Sequence, residues 1–338
     1  MKKIFFLMFA GLLTLSACHN NDEPNDPDNI TGKIYLAVRN AFEEGDVVMT
    51  AKGDIIYKCA PKTLIRRFLV DGSDWYAVAH QWPDTGRDVD IVIKNGNIIN
   101  TTVEHIYDLC IDDGNIYTLE SSGLEHKQWL CKNFTHIYSP LLTDQFSASQ
   151  MIVNHGDITL APSSSIDACY WHNGDFIAIQ GLEGGLDVCF IDKDGDDVLM
   201  GVNRDKYNKT GYWRSGSNYS HLNMTDYIYR VKLVGGKSYI LGMSHTSAVR
   251  NSQGVIVATS SDAVVVIDGQ EQVLRTTGDT NNYAKSMTLH NNDIYILVQE
   301  YKTETTGNKS FIYKNMKPIK LDRDVTEREV IDFGIIGS

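Results

Sequence analysis

A strand-centred position, most often a tyrosine, recurs along this chain at a nearly constant interval, and that interval restricts the fold more than any other feature. Aligning hairpin-like units on it gives Tyr35, Tyr76, Tyr117, Thr159, Val198, Tyr239 and Tyr295, in steps of 41, 41, 42, 39, 41 and 56 residues. The clearest copies are residues 109–119 (LCIDDGNIYTL) and 287–297 (MTLHNNDIYIL), with weaker ones at 68–78, 151–160, 190–200 and 232–241. Each places β-branched and aromatic residues around an Asp, Asn or Gly turn, the pattern of a hairpin. A second reversal follows in most units, at Lys94-Asn95-Gly96, His172-Asn173-Gly174, Ser215-Gly216, Asp268-Gly269 and Lys314-Asn315. Four short strands in roughly 40 to 45 residues is the spacing of a propeller blade. No stretch shows the 3.6-residue period that a helical solenoid needs.

The expected fold is therefore all-β, a β-propeller of seven four-stranded blades. The first unit begins at Gly32-Lys33-Ile34-Tyr35 with no room for an innermost strand, while Val330-Ile331-Asp332-Phe333-Gly334-Ile335 has a first-strand pattern and no hairpin after it. The C-terminal strand is thus expected to complete the first blade and close the ring. The 56-residue step contains an extra stretch, 247–261, expected to lengthen a hairpin or loop of the sixth unit. Such an insertion is either neutral or a place for a binding site.

The N-terminus reads differently. Met1-Lys2-Lys3, an apolar run from Ile4 to Leu15 and Ser16-Ala17-Cys18 form the charged start, short core and small-residue exit of a secretory signal. The core is about half the roughly twenty residues that a spanning helix requires. Leu15-Ser16-Ala17-Cys18 resembles a bacterial lipobox, which makes Cys18 the lipidated first residue of the mature chain, held by acyl chains at about 0.8 kcal/mol per buried methylene. Residues 19–29 are acidic, contain two prolines and carry no apolar side chain, so they suit a flexible tether. The expected organisation is a signal at 1–17, lipidated Cys and tether at 18–30, and a propeller at 31–338. Residue 19 is not Asp, which resembles lipoproteins sent to the outer membrane, and the acidic tract resembles a surface-export signal of Bacteroidetes lipoproteins.

An Ile-Tyr strand paired with a later Tyr-Trp hairpin, as in Cys169-Tyr170-Trp171-His172-Asn173-Gly174 and again in Tyr212-Trp213-Arg214-Ser215-Gly216, resembles the repeat propeller lipoproteins of gut Bacteroidetes. The resemblance spans residues 32–338. It implies the fold and assigns no catalytic residue.

Composition narrows the partners. A formal net charge of −12, with no basic cluster longer than Arg66-Arg67, excludes a polyphosphate footprint and with it nucleic acid. Cys59, Cys110, Cys131, Cys169 and Cys189 are odd in number and widely spaced, which gives no disulfide framework. No CxxC or Cys/His run supports zinc, and the cysteines are expected as small buried hydrophobes.

The run Asp192-Lys193-Asp194-Gly195-Asp196-Asp197 opens like a calcium loop, with Asp192, Asp194 and Asp196 as alternate oxygen ligands. Counted from Asp192, the sixth and twelfth positions are Asp197 and Asn203, where an EF-hand has Gly and Glu. A solvated hairpin turn therefore stands beside the calcium reading, and no other cofactor is implied. Trp171, Trp213 and Tyr313 fall at equivalent repeat positions and suit packing between blades. Trp82, in Gln81-Trp82-Pro83-Asp84, is the aromatic outside that pattern and the candidate ligand contact. His105, His126, His136, His155, His172, His221, His245 and His290 form no HExxH pattern, and His155 and His290 are expected in solvated turns. Neither a GxSxG elbow nor an Asp-box occurs, so no catalytic residue is assigned. Two functions remain: an outer-membrane binding module for a glycan or protein, and a polysaccharide hydrolase or lyase with acids near the central channel. An assembly role at the outer membrane is a third.

Overall fold

The computed structural model describes residues 33–122, 127–138, 146–165, 167–205, 207, 209–250, 256–275, 280–302 and 308–337. The signal, Cys18, the tether and His126 lie outside the described residues.

The second unit shows how the sequence makes a blade. Thr63–Asp71, Asp74–Gln81, Val89–Lys94 and Asn97–Thr102 pair in order as an antiparallel meander. Trp75 to Ala79 is a continuous apolar run because neighbouring sheets cover both its faces, and all five residues are buried. The outermost strand Asn97–Thr102 is largely exposed, including Ile98 and Ile99. At the reversal between third and fourth strands, Asn95 and Gly96 both take positive φ, 48° and 83°. That backbone suits a two-residue hairpin turn and selects Asn and Gly.

The same meander recurs at residues 105–138, 146–178, 186–221, 227–275 and 280–319. In the first blade Ile34–Val38, Val47–Thr50 and Ile55–Lys58 are joined by Val330–Ile335, with Leu36 opposite Phe333. Among the described residues this makes seven four-stranded blades, and the expected C-terminal closure is present. Blades 4 and 5 touch through two bridging pairs, and blades 6 and 7 through one parallel pair at Ser261 and Asn281.

The blades form a circuit. Each innermost strand packs on the next, from Val330–Ile335 to Thr63–Asp71, His105–Asp112, Phe146–Asn154, Leu186–Asp194, Tyr227–Val234 and Thr280–His290, and back to Val330–Ile335. The core is divided in the same way, into seven buried apolar clusters that each lie between consecutive blades. Trp171 and Trp213 sit in two of these and Tyr313 in a third, all buried, so the repeat aromatics do pack between blades. Cys59, Cys131, Cys169 and Cys189 are buried and unbridged, and Cys110 is half-buried. Burial pushes the Cys59, Cys110 and Cys131 thiols up to about 12. The extra residues of the sixth unit lengthen one hairpin, Lys237–Arg250 against Ile256–Ile267.

Alternation of direction gives the ring two faces. The connections from first to second and from third to fourth strand lie on one, the turn face; those from second to third strand and from blade to blade lie on the other, the loop face.

Polar latches also join the blades. Carboxylate or amide oxygens of Asp46, Asp90, Gln128 and Asn203 accept the N–H of Ile65, Ile106, Ala148 and Ile228 in the following innermost strand, at 2.6, 2.7, 2.9 and 2.5 Å. Each recipient lies at a β-bulge, where ladder pairing is interrupted. Further along, Asp108, Gln150 and Asp192 accept from Met151, Ile191 and Leu233. A buried N–H left without a partner costs about 1–3 kcal/mol, so these bonds fix one blade against the next.

These latches replace the calcium reading. Asp192 is buried and accepts from Leu233 N–H and Lys232 Nζ, at 2.6 and 3.1 Å. Asp194 accepts from Gly235 N–H at 2.8 Å, as Asp112 does from His155 and Gly156. Asp196 sits in the exposed turn. Two of the three carboxylates are committed to the next blade, and the acidic run is an inter-blade fastening. His290 also departs from its expected place. It is buried rather than solvated, with Nε2 3.0 Å from Asn291 Nδ2.

Candidate functional site

The turn face is built to a single plan. In six blades the residue at the second reversal, Asn95, Asn133, Asn173, Ser215, Asp268 or Asn315, exchanges two hydrogen bonds with the second strand. Its side-chain oxygen accepts from the N–H of Trp75, Ile116, Ile158, Val198, Ser238 or Ile294. Its own N–H donates to the carbonyl of the same residue. Charges reinforce the clip: Lys94 pairs with Asp74 at 2.7 Å, Lys314 with Asp293 at 2.8 Å, and Arg214 with Asp197. These bonds commit the second-reversal residues of six blades to the protein's own backbone.

Beyond the latches at the bulges the loop-face connections share no common plan, and three of their regions bring polar or aromatic side chains together. The first is a cavity of about 280 Å³ lined by Gly181, Leu182, Glu183, Asp205, Tyr207, Tyr219 and His221. Residues 181–183 come from the connection leaving blade 4, Asp205 and Tyr207 from the second-to-third connection of blade 5, and Tyr219 and His221 from its outer edge. Two glycines shape it. Gly181 turns at φ 80° against Asn218 and Tyr219, and a methyl group at Gly211 would collide with the Tyr219 hydroxyl. Asp205 is 5% exposed; its Oδ1 accepts from the N–H of Tyr207 and Lys209 at 2.8 and 3.0 Å, and its Oδ2 lies 3.5 Å from His221 Nδ1. The Tyr219 ring meets His221 edge-on at 5.2 Å. Burial, followed by the Asp205 charge, raises the Tyr219 hydroxyl above its ordinary value. Tyr207 is 65% exposed, so its ring faces solvent at the cavity mouth.

The second region lies between blades 2 and 3. Asp90, 1% exposed, stands between His80 Nδ1 at 2.5 Å and His105 Nδ1 at 3.0 Å, with Arg66 Nη1 2.5 Å from His105 Nδ1. Burial pushes the Asp90 carboxyl up, but hydrogen bonds from His105, Ile106 N–H and His80 and the Arg66 charge outweigh it and hold it below the usual range. Trp82 lies here. Its ring meets His80 edge-on at 4.1 Å and Phe42 at 5.4 Å, and it is half-buried. The candidate aromatic is on the loop face, packed over this network and apart from the cavity.

The third region is a run of four tyrosines on blades 6 and 7. Tyr227, Tyr229, Tyr283 and Tyr301 follow one another at 5.0, 4.6 and 5.3 Å between ring centres, and Tyr283 donates to Gln299 Oε1 at 2.6 Å. Sequence reasoning singled out neither this run nor the cavity residues, because the members of each come from separate connections and blades.

The chain is a β-propeller, and its described residues form seven four-stranded blades, the first closed by Val330–Ile335. No family model matches it, and no curated protein does. Solved structures similar to it include the computationally designed Ika8 protein (9% identity, TM-score 0.47, 90% of this chain and 91% of that one). Another is the β-propeller domain of the Trilobed protease from Pyrococcus furiosus (9%, 0.47, 79% and 92%). A third is the dihydro-heme d1 dehydrogenase NirN (10%, 0.46, 88% and 74%). At such scores and identities these carry no argument about activity, and the class rests on the strand order and ring closure of the chain itself.

Proposed function

We propose that the chain is a lipid-anchored binding module of the bacterial outer membrane, displayed at the cell surface, whose loop face captures a glycan in the cavity of blade 5. The observation that carries this is the lining: two tyrosine rings, two carboxylates and an imidazole around an open recess. Aromatic faces pack on the apolar faces of sugar rings, and carboxylates and imidazole accept or donate to hydroxyls. About 280 Å³ lies just under the roughly 300–1,000 Å³ of drug-sized pockets, which suits one or two sugar rings at a chain end. Asp205 Oδ1 is already bonded to two backbone N–H groups, which orients the carboxylate and favours recognition over acid–base work.

A panel of soluble and immobilised polysaccharides, screened against the protein and its Tyr207→Ala variant, tests the reading. Binding of at least one polysaccharide, weakened tenfold or more in the variant, supports it. Absence of any glycan ligand overturns it, and depolymerisation of a bound polysaccharide would favour the hydrolase or lyase alternative. The anchor is tested separately by incorporation of labelled palmitate, lost in Cys18→Ala, and by protease shaving of intact cells.

A further inference from the structure

Three groups of His, Cys, Asp or Glu converge among the described residues, and they differ in what already holds them. In His80–Asp90–His105 the donor atoms are hydrogen-bonded to one another and the Arg66 guanidinium supplies the positive charge. In Asp112–Asp113–His155 the Asp112 carboxylate accepts from two backbone N–H groups of the next blade. The third group, Glu120, Cys131 and His136, has no such internal cation.

We propose that Glu120, Cys131 and His136 form a binding site for a thiophilic divalent metal of the zinc class, fastening the outer edge of blade 3. The three residues come from the second, third and fourth strands of that blade and share one sheet face: Cys131 is paired with both Thr118 and His136, and Glu120 with Trp129. Their donor atoms all lie within 4.8 Å of one another. Glu120 is 5% exposed and Cys131 1%, whereas His136 is exposed at the sheet edge, which gives an ion a path in.

The chemistry selects the metal. A thiolate, an imidazole and one carboxylate match a borderline-soft ion, while calcium and magnesium take sets of oxygens. A buried carboxylate is costly without a counter-charge, and among the described residues no Lys, Arg or His forms an ion pair with Glu120. Neighbouring groups orient two of the ligands: the Thr118 hydroxyl donates to Glu120 Oε1 at 2.6 Å, and the Trp129 ring stacks on His136 at 5.3 Å and 16°. Outer partners of this kind fix ligand geometry and are worth about 10–100-fold in affinity. On binding, the metal–sulfur bond replaces the Cys131 S–H bond and the proton leaves to water, with a fourth position left to solvent. The fastening has a use, because the outermost strand Thr135–Tyr138 is short, exposed throughout and paired to its neighbour across a register shift. The site is independent of the glycan reading.

The test is titration of the metal-stripped full chain with Co²⁺, followed by Zn²⁺. One equivalent of Co²⁺ should bind with a thiolate-to-cobalt charge-transfer band that Zn²⁺ abolishes and excess Ca²⁺ or Mg²⁺ does not. Cys131→Ser should remove the band, Cys169→Ser should keep it, and His136→Gln and Thr118→Val should each weaken binding tenfold or more. Because the His136 side chain is exposed, that variant keeps the test valid if Cys131→Ser fails to fold. Absence of the band, its survival in Cys131→Ser, or unchanged affinity in His136→Gln would overturn the proposal.

Discussion

The two faces of the ring are built from the same strands and obey different rules. On the turn face six blades repeat one clip, in which Asn, Ser or Asp exchanges two hydrogen bonds with the second strand, and in blades 2, 5 and 7 a charge pair reinforces it. On the loop face the latches at the bulges recur but the connections between them do not: Trp82 rests on Phe42 and His80, four tyrosines run across blades 6 and 7, and Asp205 turns toward His221 in a recess. Short reversals demand particular backbone angles, and few residue types satisfy them. Longer connections carry no such demand, so their side chains are available for recognition.

The largest effect should come from breaking the ring that both faces share. Ending the chain at Thr326 removes Val330–Ile335, whose six residues are buried. Apolar burial is worth about 1.5–3 kcal/mol for each large side chain, and Val330, Ile331, Phe333 and Ile335 together approach the roughly 5–15 kcal/mol stability of a whole protein. The truncated chain should lose its cooperative melting transition or melt more than about 10 °C lower. Unchanged calorimetry would refute the closure.

Cutting one latch should cost less. Asp108→Ala leaves the buried Met151 N–H without its acceptor and should lower stability by about 1–3 kcal/mol in urea unfolding. Glycan binding by the folded fraction should be unchanged, and a loss of affinity at full folding would mean that the latches belong to the site.

Acidification should weaken the clips of the turn face. Hydrogen bonds from Lys94, Arg214 and Lys314 hold the Asp74, Asp197 and Asp293 carboxyls below their ordinary range. A folded value below the unfolded one gives stability that is present above the ordinary carboxylate value and is lost as pH falls through the folded value. Turn-face clips should therefore weaken below about pH 4. Asp197→Asn should be less stable at neutral pH and lose less on acidification, as chemical denaturation at a series of pH values would show.

The smallest stability effect belongs to the loop face. Tyr207→Ala, at an exposed ring, should change unfolding free energy by no more than about 0.5 kcal/mol while removing most of the glycan affinity. A large loss of stability would give Tyr207 a structural role instead.

The blade period, the closure and most second reversals were legible because backbone geometry writes them into residue type. Asn95-Gly96 and Asp268-Gly269 announce positive φ; Asn133 makes the same clip with Phe134 after it at φ 63°, as Asn315 does with Met316 at φ 67°, and without Gly the residue pair alone does not mark the turn. The Asp192 run misled because a carboxylate latch and a calcium loop both place acids on alternate residues, and only the position of Leu233 and Gly235 in the next blade separates them. Nothing in the sequence joined Glu183 to Tyr207 and His221, or His80 to His105. Those groups arise from ring geometry, with partners on different strands or connections and no fixed spacing.

The most direct test of the division between faces uses two single cysteines at opposite ends of blade 5, Asp196→Cys on the turn face and Lys209→Cys beside the cavity. Each is capped with a bulky maleimide and then measured for polysaccharide binding. Capping at residue 209 should abolish binding and capping at residue 196 should leave it intact; equal loss, or loss only at 196, would contradict the account.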